Sequence, residues 1–187
     1  MRRFLGLTVV ATMVLSSWAT AGEIKSGLQA GEDIGPFNVT KCAGAEDDGT
    51  PLGQNLCYRC KNGSRPQVIV FARSSGDKLV GLVRELDSMV AKHEDAQLRA
   101  FVNVLGESKD VASEDAKKLA ATSKAKHIPF VVPNEFENGP EDYGINAKAD
   151  LTILVATEGK VKSSHAYTSL KELEMKDVLA DVAKLID

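Results

Sequence analysis

Apolar positions recur along this chain with two periods. Gln67-Val68-Ile69-Val70-Phe71-Ala72-Arg73 is a continuous apolar run bounded by polar turns. A strand buried on both faces reads this way. From Asp77 to about Lys92, Leu79, Leu82, Val83, Leu86 and Val90 recur at helical spacing, which predicts an amphipathic helix. Leu98 to Leu105 predicts a second strand and Ser108 to Lys124 an alanine-rich second helix. Ile128-Pro129-Phe130-Val131-Val132 is extended, and its prolines assign it to an edge or a connection. Leu151 to Ala156 predicts a third strand, and Glu158-Gly159 turns it into a hairpin with Lys160 to Tyr167. Ser169 with Glu172 reads as a capping box, opening a last helix that carries Val178, Leu179, Val182, Leu185 and Ile186.

The front of the chain is less regular. Phe37 and Val39 alternate as in a short strand, and Leu52 to Tyr58 reads as its return. The acidic, glycine-bearing stretch from Ala43 to Pro51 is a solvated loop between them. Asn134 to Ala149 is a second loop, with a turn at Tyr143-Gly144-Ile145. The order is hairpin, β, α, β, α, connection, β, β, α. It predicts an α/β domain: a mixed sheet with helices on both faces and an N-terminal hairpin extension.

Met1-Arg2-Arg3, the apolar run from Phe4 to Leu15 and Ala19-Thr20-Ala21 together form a secretory signal. The run is shorter than the roughly 20 residues of a transmembrane helix. The expected organisation is a signal peptide over 1–21, a mobile leader over 22–30 and one domain over 31–187. Export to a periplasm or the extracellular space follows, with no membrane span after cleavage. The formal net charge is −3, and loss of Arg2 and Arg3 makes the mature chain more acidic. That disfavours nucleic acid, which calls for a basic patch. No phosphate loop, serine elbow or H-E-x-x-H motif is present. No cofactor is expected, and the partner is an unidentified protein or thiol.

The ordered patches resemble the thioredoxin-like fold, in the branch of the peroxiredoxins and TlpA-like thioredoxins. Gly31-x-x-Ile34-Gly35-Pro36-Phe37-x-Val39 is similar to that branch's opening, and Gln67 to Arg73 to its central strand. Tyr143-Gly144-Ile145, Leu151 to Val155 and Glu158-Gly159-Lys160-Val161 are similar to its second half. In the resembled family the reactive cysteine follows the central strand and starts the next helix, where the helix N-terminus lowers its pKa. Here that position reads Ser74-Ser75-Gly76-Asp77. The family's cis-proline before the third strand is replaced by Ala149-Asp150. The resemblance implies the fold and argues against its standard chemistry.

The remaining chemistry lies in Cys57-Tyr58-Arg59-Cys60, ahead of the central strand, and in Cys42. Three readings stand. In the first, a disulfide staples the N-terminal hairpin, joining Cys57 to Cys60 or Cys42 to one of them. The protein is then a binding or structural module. In the second, Cys57-x-x-Cys60 is a relocated thiol–disulfide exchange site flanked by Arg59 and Lys61. The resemblance then makes Cys57 the nucleophile and Cys60 its resolving partner, with Cys42 as a further resolving thiol. In the third, the three cysteines and a histidine hold zinc, although no second ligand pair is visible. Covalent haem is excluded because Lys61 follows the second cysteine.

The three histidines have structural expectations: His93 as a surface cap, His127 in a solvated turn and His165 on an exposed or edge face. Glu46-Asp47-Asp48 lacks calcium-loop spacing. Asn38-Val39-Thr40 and Asn62-Gly63-Ser64 are glycosylation sequons.

Overall fold

The structure is a computed structural model that describes residues 24–186. The signal-peptide expectation falls on residues outside that range. Among the described residues seven strands form one sheet: β1 Val39–Ala43, β2 Asn55–Leu56, β3 Gln67–Ala72, β4 Arg99–Val104, β5 Phe130–Pro133, β6 Leu151–Thr157 and β7 Lys160–Tyr167. Their order is β2-β1-β5-β4-β3-β6-β7. The helices are α1 Tyr58–Asn62, α2 Asp77–Lys92, α3 Lys109–Ser123 and α4 Met175–Ala183. Among the described residues no helix is long and apolar enough to cross a membrane.

The central strand is as the pattern predicts. Every residue of β3 is buried. It pairs parallel with β4, Gln67 opposite Arg99, and antiparallel with β6, Gln67 opposite Ala156. Alternation sends Val68, Val70 and Ala72 to one face and Ile69 and Phe71 to the other.

Helices lie on both faces, but unequally. Buried side chains of α2, α3 and α4 all join the cluster around Val68 and Val70. The path β3-α2-β4-α3-β5 steps along the sheet in one direction, so crossovers of one hand put α2 and α3 on the same side. The other face, around Ile69, Phe71 and Phe101, is covered by Ile34, Phe37, Tyr58 of α1 and Tyr143. Tyr143 sits in a 3-10 turn ended by Gly144 at φ +62°, where a glycine avoids the Cβ penalty.

Four local expectations are corrected. β5 is internal, between β1 and β4. Pro129 lies outside it and Pro133 ends it, so the ladder keeps the amides of Phe130, Val131 and Val132. The hairpin return shrinks to Asn55–Leu56, and β1 begins at Val39, after Phe37. Ser169 caps a 3-10 turn over Leu170–Glu172, accepting from the N–H of Lys171, and α4 starts later. Glu172 instead accepts from the Thr168 hydroxyl. Residues 24–30, expected as a mobile leader, are pinned to the sheet's end. Ser26 is buried with its hydroxyl 2.6 Å from Thr152 Oγ1, and the Gly27 N–H donates to Gly144 O at 3.1 Å.

Candidate functional site

Cys57 and Cys60 are joined by a disulfide, with Cα atoms 5.2 Å apart. The bond closes one turn. The pair lies at the start of helix α1, which the pattern did not predict, and Cys57 is its N-cap, with φ −100° and ψ 98°. The N–H of Cys60 donates to Cys57 Sγ at 3.0 Å. Gly63, at φ +64°, ends the helix by donating to the carbonyls of Arg59 and Cys60. Cys57 is half-buried and Cys60 exposed.

Three side chains clamp this turn to the body of the fold. The ring of Tyr58 is buried and stacks on Phe101, with centroids 5.8 Å apart. Its hydroxyl donates to Asp48 Oδ2 at 2.5 Å. Arg59 Nε donates to Ile34 O at 2.7 Å. Lys61 Nζ donates to Thr50 Oγ1 at 2.5 Å and to Asp48 O.

Asp48 is the hub beneath the turn. Its Oδ1 accepts from Lys41 Nζ at 2.8 Å and from the Thr50 N–H at 2.7 Å. The Lys41 side chain is 1% exposed, and its ammonium also donates to Ala45 O and Thr50 O at 2.7 and 2.9 Å. All three ammonium donors are thereby used. Burial raises the Asp48 pKa, but hydrogen bonds from Lys41, Tyr58 and Thr50, with the Lys41 charge, outweigh it and hold it below the ordinary value. Burial, then the bond to Asp48, pushes the Tyr58 phenol well above its ordinary value. The acidic loop is thus anchored through Ala45, Asp48 and Thr50, while Glu46, Asp47 and Gly49 are exposed as a solvated loop would be. A signal for Lys41 was present: it shares the parity of inward-facing Val39 along β1.

The structure does not gather the three cysteines. Cys42 packs on the helix-bearing face, with Sγ 3.7 Å from Ser113 Oγ of α3. Tyr58 and its turn belong to the opposite face. Cys42 is a free thiol, so it neither staples the hairpin nor sits with the pair as a resolving thiol. Among the described residues no cluster of His, Cys, Asp and Glu side chains converges as a metal site would need.

The family's usual position is at the other end of β3. A six-residue strand spans about 20 Å. There the Arg73 N–H donates to Asp150 O at 2.9 Å, and its guanidinium donates to Glu137 O and Asn138 Oδ1. Ser74 Oγ is buried without a hydrogen-bond partner.

The histidines divide. His93 is the C-cap of α2. His127 donates its backbone N–H to Asp87 Oδ1 at 2.7 Å and lines a cavity. His165 lies on the edge strand β7, where its Nε2 is 3.0 Å from Asp181 Oδ2 and its side chain 16% exposed; of the two expected placements, exposed face or edge, the edge is the one found. Asn62 of the second sequon is buried and donates to Gln67 Oε1.

No protein-family model matches the chain, and no curated protein matches it by sequence. Solved structures do match. One is the thioredoxin domain of a thiol-disulfide oxidoreductase from Bacteroides vulgatus: TM-score 0.62, 15% identity, covering 86% of this chain and 99% of that one. A second, assigned as the thiol:disulfide interchange protein DsbE of Chlorobium tepidum, gives 0.62 and 14% over the same shares. AhpC of Mycobacterium tuberculosis gives 0.61 and 12%, again over 86% and 99%. At 15% identity or less these likenesses speak to architecture, and they agree with the mixed sheet and its strand order: this chain has the thioredoxin-like fold.

Proposed function

We propose that this chain is an exported thioredoxin-like domain that exchanges thiols and disulfides through Cys57 and Cys60, at the end of the central strand opposite the fold's usual site. The observation that carries this reading is a partly exposed disulfide closing a single helical turn. Such a bond is a poor staple. The chain-entropy relation gives a loop this short about 2 kcal/mol, against about 3 kcal/mol for a 15-residue loop. It also leaves the β1–β2 hairpin uncrossed, since Cys42 on β1 is free. The signal-like start of the chain supports export.

Exposure sets the direction of attack. A thiolate from a small or protein thiol attacks Sγ of Cys60, the more exposed residue of the pair. A bond forms between Cys60 and the incoming sulfur, and the Cys57–Cys60 bond breaks. Its electron pair leaves on Cys57 Sγ, which the Cys60 N–H already addresses. A second external thiolate then attacks the partner's sulfur in the mixed disulfide and releases Cys60 as a thiolate. Two external thiols become one disulfide, and the protein pair gains two electrons. These roles are the reverse of those the resemblance implies, in which Cys57 meets the partner.

The test is a thiol count across a graded redox buffer, with alkylation and mass mapping. Opening of the Cys57–Cys60 bond between about −270 and −120 mV, the range of exchange proteins, supports the reading. A bond that stays closed below about −300 mV overturns it. That outcome would favour a second reading, a binding module without the fold's usual active site, in which the disulfide secures α1. The buried anchor of Tyr58 between the two cysteines favours that alternative.

A further inference from the structure

Beside the disulfide turn is a cavity of about 430 Å³. Its walls come from α1, the start of β4 and the approach to β5; Val90, Ala100 and Pro129 supply apolar surface. The volume lies in the range of small-molecule sites, about 300–1,000 Å³.

The charge on its walls is unbalanced. Lys61, Arg65, Arg99 and Lys126 line it, with Asp47 and Asp48. Asp48 is already engaged by Lys41, Tyr58 and the Thr50 amide. Elsewhere some cations pair, Lys117 with Glu114, Lys118 with Asp115, Lys160 with Asp33 and Lys184 with Asp181, while Lys78 and Arg84 spend their donors on backbone carbonyls. Among the described residues Arg65, Arg99 and Lys126 make no such pair. Arg65 donates to Gln97 Oε1 and Lys61 O, at 3.3 and 3.4 Å, and Arg99 to Leu98 O at 2.9 Å. A guanidinium has five N–H donors, so both keep donors for a ligand. Three unpaired cations around one concavity, in a chain of net charge −3, concentrate a positive potential where low-dielectric walls focus it.

We infer that this cavity binds a small carboxylate-bearing thiol or its disulfide and presents the sulfur to Cys60. The inference rests on the exchange reading above and names its substrate class. Arginine forks suit carboxylates, which they hold through paired N–H bonds. The apolar patch suits a short aliphatic stem, and α1 joins the cavity to the disulfide, since Tyr58, Lys61 and Asn62 line the one and Cys57 and Cys60 form the other.

The experiment has two arms, both on the mature chain carrying Cys42→Ala. In the first, the reduced protein reacts with a dinitrobenzoate disulfide bearing two carboxylates and, separately, with a neutral dipyridyl disulfide. The anionic reagent is expected to react at least about tenfold faster after correction for intrinsic reactivity, and to lose that advantage with added salt. Arg65→Glu with Lys126→Glu should lower the anionic-to-neutral rate ratio about tenfold, and Arg65→Gln with Lys126→Gln by less, in the same direction. In the second arm, an S-methylated tripeptide with two carboxylates is titrated into the oxidised protein. The amides of Ala100, Lys126 and His127 should shift saturably. A charge-independent rate ratio together with unshifted amides overturns the inference and leaves the exchange reading intact. Shifted amides with a disulfide that no thiol opens sink the exchange reading while the cavity's binding role survives. If those amides respond to an acidic peptide and not to the tripeptide, the small-molecule class is wrong.

Discussion

The hydroxyl of Tyr58 donates to Asp48 Oδ2 at 2.5 Å, and Asp48 Oδ1 holds the buried Lys41 ammonium at 2.8 Å. Tyr58, one of the two residues between the cysteines, is therefore fastened, through one carboxylate, to a charge inside the fold. Tyr58→Phe keeps the stacked ring and deletes the bond. A hydrogen bond to a charged group contributes about 1.5–3 kcal/mol, so urea unfolding should show a loss in that range. An unchanged midpoint would mean that α1 is held by Arg59 and the ring alone.

Asp48 also makes an acid prediction. Its pKa is held below the ordinary carboxylate value, so it binds a proton more readily in the unfolded chain. Its contribution to stability is complete above the unfolded pKa and is lost as pH falls through the lower folded value. Asp48→Asn should flatten the acid limb of a stability–pH curve below about pH 4. At neutral pH it should cost about 3–5 kcal/mol, because Lys41 is left buried without a counter-charge. Acid limbs that run parallel in the two proteins would refute the assignment.

What could be read from the sequence follows from period. β3, α2, β4, α3 and the β6–β7 hairpin repeat apolar residues over many positions, and each lies within a few residues of its expected bounds. Short elements carry no period. Five residues of α1 make barely more than one turn, so Cys57-Tyr58-Arg59-Cys60-Lys61 looks like any polar loop until the Tyr58 ring finds Phe101. Pro129 and Pro133 suggested an edge, but the proline rule concerns which amide is lost, and here the lost amides lie outside the ladder's interior. The cysteine pair was legible as chemistry. Its accessibility was not, because which sulfur meets solvent depends on how α1 lies against the sheet. The charged cavity was illegible as well, since Arg65, Arg99 and Lys126 are far apart in sequence and converge through β-pairing.

Gly44 follows β1 at φ +73°, and a Cβ there would lie 2.2 Å from Ile128 O and 2.9 Å from the Phe130 ring. Both neighbours are buried. Gly44→Ala should therefore cost well over the roughly 1–2 kcal/mol of left-handed strain alone, with a soluble yield that falls accordingly. Gly53→Ala is the control. Gly53 has φ +80° and open space around its would-be Cβ, so about 1–2 kcal/mol is the whole expected loss. Equal losses at the two sites would show that the contact with Ile128 is not rigid.

The cysteines separate by single substitutions. Alkylation of the oxidised protein should label Cys42 and leave Cys57 and Cys60 unlabelled until a reductant is added. Cys42→Ala should not move the redox midpoint of the pair, because its thiol faces Ser113 across the sheet from α1. Cys57→Ser leaves the cysteine of the exposed residue and Cys60→Ser that of the half-buried one. On the attack order proposed above, Cys57→Ser should form a mixed disulfide with a small aromatic disulfide faster than Cys60→Ser does, followed by mass against time. Either change should lower stability by about 2 kcal/mol, the value for so short a loop. The reverse rate order would return the partner-facing role to Cys57. A stability loss of about 4 kcal/mol or more from either serine would instead make the disulfide a structural clamp on Tyr58.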